Sequence, residues 1–559
     1  MTNATDPLAL AGVLDAQFSK HWPTATAGVI FVVFALLAQS WLAVDPLADV
    51  PVVGKGGRWA RRKQYLQGQG NQLYIDGYKQ FKDSIFRLTT SKSETLLNPR
   101  DSSQTPPADP FPPEKDTICV PPKYLPELKK APDDVISFAK AIDEWRHAHL
   151  GPCRQGLVDP SFALASPRGS PLPLLQMHGA NQLSTARLNA SISDEVVESM
   201  RLELPQSTDW TEVNINAKLL RIIAMVSGRV FIGSELCRDE RYIDASINYT
   251  VDLMTAVHVI ALVPSFLRPI VATWLPTTKK LYRRIAEAES VFRPIVTARR
   301  EAAAANRDDY REPDDMLQWI LNAQTKFGQL SDRDLASAQL GISFAAIHTT
   351  TMTTTNAIYW LVAKPELIPM LRDDVQQALL ESGGEFTSGA LQNMKKLDSF
   401  LKEVMRASPL SAGSFTRKVL KSLTLPNGQT IPAGMNIETP AAGVNNDPEI
   451  FPDPEVFDAL RFYRLREAKE HAASGAKAAE VVMQAQFVSV GTTHLTFGYG
   501  KHACPGRFFA VNEIKMIMAN ILCHYDVKLP DGETGRYENL VFGASSVPDP
   551  KKTILIRKL

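Results

Sequence analysis

One uninterrupted helical pattern, running from Ser331 to Val362 and stopped by Pro365, constrains this chain more than any other feature. Ser331 with Asp334 three residues on resembles a capping box, which marks the start. At about 1.5 Å per residue such a helix spans roughly 50 Å, enough to cross a whole domain and be buried on most sides. Its middle reads Ala345-Ala346-Ile347-His348-Thr349-Thr350-Thr351-Met352-Thr353-Thr354-Thr355. Six threonines stand where propensity favours alanine or leucine. Either their hydroxyls bond back to the carbonyl four residues earlier, or chemistry placed some of them.

Around this helix, helical spacing recurs at 133–150, 281–304 and 373–381. Strand signals are short and late, around 422–437, with Asn427-Gly428 as a turn. The predicted fold class is mainly α with small β-sheets. A chain of 559 residues could hold three or four average domains, but no repeat and no long flexible linker divides it after residue 45, so one large catalytic domain is the simpler reading. Proline-rich 98–113 reads as an extended surface loop, 156–179 as a loop over a pocket, and 468–475 as a surface insertion.

Thr24 to Val44 carry no charge, and these 21 residues match the roughly 20 needed to cross a bilayer. Asp6 and Asp15 precede them, the wrong leading charge for a signal peptide. Lys55, Arg58, Arg61, Arg62 and Lys63 follow, against Lys20 before, so the positive-inside rule puts the C-terminal part in the cytosol. The expected division is a short lumenal N-terminus (1–23), a transmembrane helix (24–44), a basic Pro/Gly linker (45–65) and a catalytic domain (66–559). A buried core helix is the rival for 24–44. With 61 Lys and Arg against 60 Asp and Glu, the chain lacks the basic excess of a nucleic-acid binder. Its 44% hydrophobic and 22% charged residues exclude wholesale disorder and a polytopic membrane protein. Five scattered cysteines make no disulfide framework and suit a reducing compartment.

The strongest chemical signal is Phe497-Gly498-Tyr499-Gly500-Lys501-His502-Ala503-Cys504-Pro505-Gly506-Arg507. Two glycines allow a tight turn before the cysteine, and a helical pattern runs from Arg507 to about Cys523. Cys504 thus sits at a helix N-terminus, where unpaired amides favour the thiolate that can ligate a metal. A buried structural cysteine is the alternative. Zinc is disfavoured, because no CxxC or close His pair supplies further ligands.

The pattern F-G-x-G-x-H-x-C-x-G resembles the haem-binding loop of the cytochrome P450 family. Two further motifs stand upstream in that family's order: Glu403-Val404-Met405-Arg406 as E-x-x-R, and Phe457-Asp458-Ala459-Leu460-Arg461-Phe462, similar to F-x-P-x-R-F with Ala459 in place of proline. The resemblance covers essentially the whole chain after the anchor and implies the cytochrome P450 fold, a haem b cofactor and Cys504 as its axial iron ligand. It further implies a Glu403, Arg406 and Arg461 cluster supporting the haem loop, with Phe497, Gly498 and Gly506 among the cofactor-binding residues and Phe497 packed near the sulfur, tuning thiolate donation. His502 and Arg417 stand where the family places partners for the haem propionates, with Arg187 a third candidate. Ala345 to Thr350 resemble the family's A-G-x-D/E-T-T, making Thr349 the hydroxyl over the oxygen-binding face and His348, in place of the acid, a proton relay candidate.

What the resemblance implies is a monooxygenase, by default a hydroxylase, since an axial thiolate favours O–O cleavage. Electrons would come from NADPH through a separate cytochrome P450 reductase, with cytochrome b5 as a second donor to weigh, and Lys501 and Arg507 could meet its acidic face. The implied place is the endoplasmic reticulum membrane, single-pass. The pocket would draw on 156–184, Phe344, Ile347, Leu410 to Ser414 and Val541 to Ser546, mostly apolar or small. Similarity to filamentous fungal enzymes of secondary metabolism suggests a hydrophobic, polycyclic substrate: terpenoid, steroid or indole-terpenoid. The alternatives are a reductase-independent haem-thiolate isomerase or dehydratase, and a haem-binding membrane protein without turnover.

Overall fold

A computed structural model of the chain describes residues 47–90, 116–142, 181–261, 263, 268–305, 311–328, 330–472 and 476–559. Residues 1–51 with 96–114 cluster as one unit and residues 52–95 with 115–559 as another. All that follows concerns the second. The expected span at 24–44 and the loops at 98–113 and 156–179 lie outside the described residues. Among the described residues no helix is long and apolar enough to cross a membrane.

The principal helices are α1 (Gly70–Gln80), α2 (Asn181–Glu203), α3 (Ile215–Phe231), α4 (Glu240–Ala261), α5 (Pro276–Ala304), α6 (Asp332–Ala363), α7 (Leu367–Leu380), α8 (Lys395–Ala407), α9 (Arg461–Ala472) and α10 (Arg507–His524). The long helix predicted from Ser331 is α6. Ser331 caps it, its Oγ accepting from the Asp334 amide at 3.2 Å and donating to the Asp334 carboxylate at 2.7 Å. It runs through the main core between α3, α4, α5 and α8. Ile347, Ala357, Ile358, Tyr359 and Leu361 are fully buried, so apolar burial rather than helix propensity holds it.

The strands are β1 (Val52–Val53), β2 (Phe86–Leu88), β3 (Thr117–Cys119), β4 (Ile136–Ser137), β5 (Thr211–Val213), β6 (Ser414–Val419), β7 (Leu423–Thr424), β8 (Thr430–Ile431), β9 (Asn436–Thr439), β10 (Tyr525–Lys528), β11 (Asn539–Phe542), β12 (Ser545–Pro548) and β13 (Ile554–Lys558). Six form one mixed sheet in the order β1-β2-β3-β9-β6-β4; β10-β13-β5 make a second, and β11-β12 and β7-β8 are hairpins. The chain is thus mainly helical with small sheets. Asn427-Gly428 turns the β7-β8 hairpin: Gly428 has φ +84°, which only glycine adopts freely, and its amide donates to Leu425 at 2.9 Å.

One expectation changes, and two further stretches take on regular structure. The helix expected over 133–150 opens instead with a turn and with β4, paired to Val419 and Lys418; helix begins at 138 and is described to 142. Pro132 starts the turn, both Val135 and Ile136 amides donating to its carbonyl, and Ile136 gains more from the sheet than from a helix face. The supposed insertion at 468–475 continues α9 to Ala472, in keeping with the helix propensity of its Ala, Lys and Glu. The stretch read as a linker, 45–65, holds β1, paired parallel to β2, and a helix over Arg58–Gln64.

Candidate active site around Cys504

The loop ahead of α10 is shaped by two left-handed glycines, Gly498 (φ +77°) and Gly500 (φ +73°). They let the chain double back until the Cys504 amide donates to the Phe497 carbonyl at 2.7 Å. A side chain on Gly500 would also press on Lys129, 3.0 Å from its Cβ. Gly506 is the N-cap of α10, with φ −84° and open space beyond its Cα, so its backbone conformation does not itself demand glycine. Cys504 is half-buried, three residues before α10. The helix end pulls its thiol toward ionisation through the Gly506 and Arg507 amides and the Arg507 charge, yet burial outweighs them and the thiol titrates above its usual value.

Arg507 turns back and donates to the Cys504 carbonyl at 2.9 Å. Its charge supports the loop, while Lys501 stays half exposed in an ion pair with Asp133 at 2.8 Å. Phe497 lies beside Phe487, ring centres 6.1 Å apart. Behind it a small cavity reaches Lys402, Arg406, Ser489 and His494.

Arg417 and His502 meet at a second small cavity, with Lys129, Tyr499 and Lys501 also on its wall. Arg417 is only 5% exposed. Its guanidinium lies against Phe415 at 4.1 Å and Phe138 at 5.3 Å, and His502 stacks on Phe138, 5.4 Å between ring centres. The one hydrogen bond described for it runs to the neighbouring Thr416 carbonyl, at 2.8 Å. Among the described residues no carboxylate lies within ion-pair distance, and burial pulls the guanidinium down to about 10. A buried cation without a carboxylate is costly unless an anion meets it. Asp133 faces the site from outside, bonded to Lys501 and, at 3.4 Å, to His502. Arg187 is elsewhere in its interactions, paired at the surface with Asp314 at 2.8 Å. Phe415 carries a left-handed φ of +56°, unusual for a bulky residue, where the β6-β9 register slips between Ser414 and Arg417. No sequence pattern marked Phe138, Asp133 or Phe415, because the first two join the site only through tertiary pairing.

Glu403, Arg406 and Arg461 come together. Arg406 grips Glu403 bidentately at 2.7 and 2.8 Å, and Arg461 Nε reaches the same carboxylate at 3.2 Å. Glu403 is fully buried. The arginines spend their other donors on the carbonyls of Asn445, Pro452, Pro454 and Val456, so one carboxylate fixes the irregular chain between β9 and α9. Phe457 stacks on Trp360 of α6, centres 4.0 Å apart, and the Ala459 carbonyl accepts from Ser399 at 2.8 Å.

On α6 the hydroxyls of Thr349, Thr351, Thr353 and Thr354 each donate to the carbonyl four residues back, at 2.7 to 2.9 Å. Thr355 instead accepts from Asn216. Ala345 and Thr349, one turn apart, are exposed where Ile347 and Thr350 beside them are buried. One face of the helix is thus accessible in mid-core. His348 points to α4, its Nε2 3.0 Å from the Ile247 carbonyl. A carbonyl only accepts, so Nε2 carries the proton, and burial lowers the pH at which the ring gains a second one. Of the pocket segments, Leu410 to Ser414 and Val541 to Ser546 lie side by side: the Ala412 amide donates to Ala544 at 2.7 Å and the Ser546 amide to Leu410 at 3.0 Å. Phe344 is half-buried.

No group of three or more His, Cys, Asp or Glu gathers among the described residues. What the site offers is one thiol on a closed loop, a buried arginine and a histidine that suit an anionic group, and an accessible hydroxyl-bearing face.

Residues 172–555 match the family model described as Cytochrome P450. The chain is 39% identical over 446 residues to cytochrome P450 monooxygenase ATR3 of Stachybotrys chlorohalonatus, covering 79% of this chain and 89% of that protein. It is 32% identical over 544 residues to cytochrome P450 monooxygenase braC of Annulohypoxylon truncatum, covering 96% and 97%. Over 558 residues it is 29% identical to an ent-kaurene oxidase of Fusarium fujikuroi, covering 96% and 93%.

Proposed function

The chain belongs to the cytochrome P450 family and is an oxidoreductase, a monooxygenase of that family, and on that premise we propose that it oxygenates a hydrophobic, polycyclic substrate of terpenoid, steroid or indole-terpenoid type. The observation that carries the reading is the pairing of the closed Cys504 loop with the buried Arg417, which lies beside His502 and has no carboxylate within ion-pair distance among the described residues. In this reading Cys504 would hold the iron of haem b, and Arg417 and His502 would hold its propionates. The bound haem supplies oxygen activation, with the thiolate donating electron density. Gly498 lets the loop fold back, Phe497 shields the sulfur, and the Glu403 cluster keeps the segment beneath rigid.

Thr349 stands on the accessible face of α6 with its hydroxyl proton directed to Ala345, leaving its oxygen lone pairs to accept a proton donor there. His348 offers an unprotonated Nδ1, since Nε2 is committed to Ile247. The substrate class rests on the name of a relative, an ent-kaurene oxidase, and on the apolar or small residues of 410–414 and 541–546. Electrons would arrive from an NADPH-dependent reductase, cytochrome b5 being a second candidate donor, and 24–44 would anchor the chain in the endoplasmic reticulum membrane with its catalytic unit cytosolic. Expression with a fungal reductase, screening terpenoid, steroid and alkaloid panels by mass spectrometry against Cys504→Ala, tests it. Oxygenated product from the parent alone supports the reading; no product from any panel overturns the substrate class. Product formed without NADPH would instead favour the isomerase or dehydratase alternative.

A further inference from the structure

The β11-β12 hairpin is held at three places, and one of them lies far from the candidate site in sequence. At its base Arg536 donates to Asn539 at 2.8 Å and to Asn356 of α6 at 2.5 Å, and Asn539 donates to Ser546 at 3.1 Å. Along one edge it bonds to 410–412 through the Ala412 and Ser546 amides. At its tip Gly543, with φ +57°, is clamped by the irregular turn that precedes α1. A methyl group on Gly70 would come 1.7 Å from the Gly543 carbonyl oxygen, and one on Gly543 would come 2.9 Å from the Tyr65 ring. At Gly70 backbone meets backbone, so that contact cannot be relieved by turning a side chain.

The clamp is continuous with a buried polar network. Tyr65 interacts with Tyr74 and with the Ala544 backbone. The Tyr74 hydroxyl donates to Glu438 at 2.5 Å, and Thr416 donates to the other oxygen of that carboxylate at 3.1 Å. Gly413 passes so close that an added Cβ would lie 2.6 Å from Glu438 and 3.1 Å from the Tyr74 hydroxyl. Hairpin tip and 410–414 are therefore located by the same few residues of 65–74.

We propose that Tyr65, Gly70 and Tyr74 are positioning residues for substrate, setting the wall of the pocket made by 410–414 and 541–546 without themselves touching what it binds. This rests on the haem-thiolate reading above for the pocket's identity. It is tested without turnover, by optical titration of the haem-loaded protein with imidazole and with clotrimazole, the same azole on a bulky triaryl carbon. Imidazole needs only the iron; clotrimazole needs the wall. In Gly70→Ala and Tyr74→Phe the expected result is clotrimazole binding weakened about tenfold or more, with imidazole binding within about twofold and the reduced-CO band unchanged. Hydrogen exchange at the Ala412 and Ser546 amides should quicken in the same variants. Equal affinity of parent and variants for clotrimazole, or equal loss for both azoles, overturns the proposal. Should Gly70→Ala fail to fold, Tyr65→Phe, which keeps the ring and removes only the hydroxyl, takes its place. Absence of any haem spectrum in the parent would instead count against the haem reading itself.

Discussion

The Cys504 amide is bonded to the Phe497 carbonyl at 2.7 Å across a turn whose geometry depends on Gly498 at φ +77°. An L side chain in that conformation costs about 1–2 kcal/mol, although space for a methyl exists, the nearest atom being 3.5 Å away. Gly498→Ala should therefore fold, lose about that much stability in urea titration, and bind haem with a smaller reduced-CO thiolate band. A full-sized band at unchanged stability would show that the turn does not govern the sulfur.

Glu403 is the single negative charge under two arginines. Removing it leaves both cations facing each other in a buried site, for which about 3–5 kcal/mol is the expected loss. Glu403→Gln should then be largely unfolded or aggregated at 37 °C. Denaturant midpoints decide the matter.

Arg417 carries the opposite pair of expectations. Without an anion its burial opposes folding, so Arg417→Met should leave the haem-free protein equally stable or more stable, by about 1–3 kcal/mol. The same variant should lose haem faster to an apo-globin acceptor. Faster loss of haem together with a less stable haem-free protein would mean that the side chain acts by packing alone.

Glu513 is buried on α10 with one oxygen bonded to Ser227 at 3.0 Å and the other unpaired among the described residues. Burial pushes its carboxyl up to about 8, from 4.5 when unfolded. The folded chain then holds a proton that the unfolded chain has released, so stability falls as pH rises from about 4.5 to about 8 and is level above. Glu513→Gln should flatten that slope, by an amount on the order of a few kcal/mol. Urea midpoints at pH 5.5 and 8.5, in parent and variant, measure it.

Four of the α6 threonines spend their proton on the helix itself, but only Thr349 among these four is exposed. Thr349→Val should lower product formed per NADPH consumed several-fold, while Thr353→Val leaves that ratio unchanged. Equal ratios in both variants would remove Thr349 from the reaction.

What was legible from residue order is what local chemistry dictates. Ser331 with Asp334, the glycines before Cys504 and the i,i+3 spacing of Glu403 and Arg406 are each decided within a few residues. The His348 contact with Ile247, the Arg187 pair with Asp314 and the stacking of His502 on Phe138 join residues more than 100 apart, and no periodicity carries that information. The opening of the 133–150 segment, 133–137, departs from helix for the same reason. Its apolar spacing fits a helix, but Ile136 is claimed by a strand that begins almost 280 residues later.

The mixed sheet also sets a timetable. β1, β2 and β3 are complete once residue 119 is made, yet Ile118 pairs with Ile437, about 320 residues downstream. At roughly 5–20 residues per second on the ribosome, the β3 edge waits about 16–64 s for its neighbour, far longer than a hairpin takes to form. Throughout that interval an apolar strand edge stands open to other chains. Yield of this protein in a foreign host should accordingly respond more to slower initiation and to chaperones that cover nascent strands than to any change in the finished site.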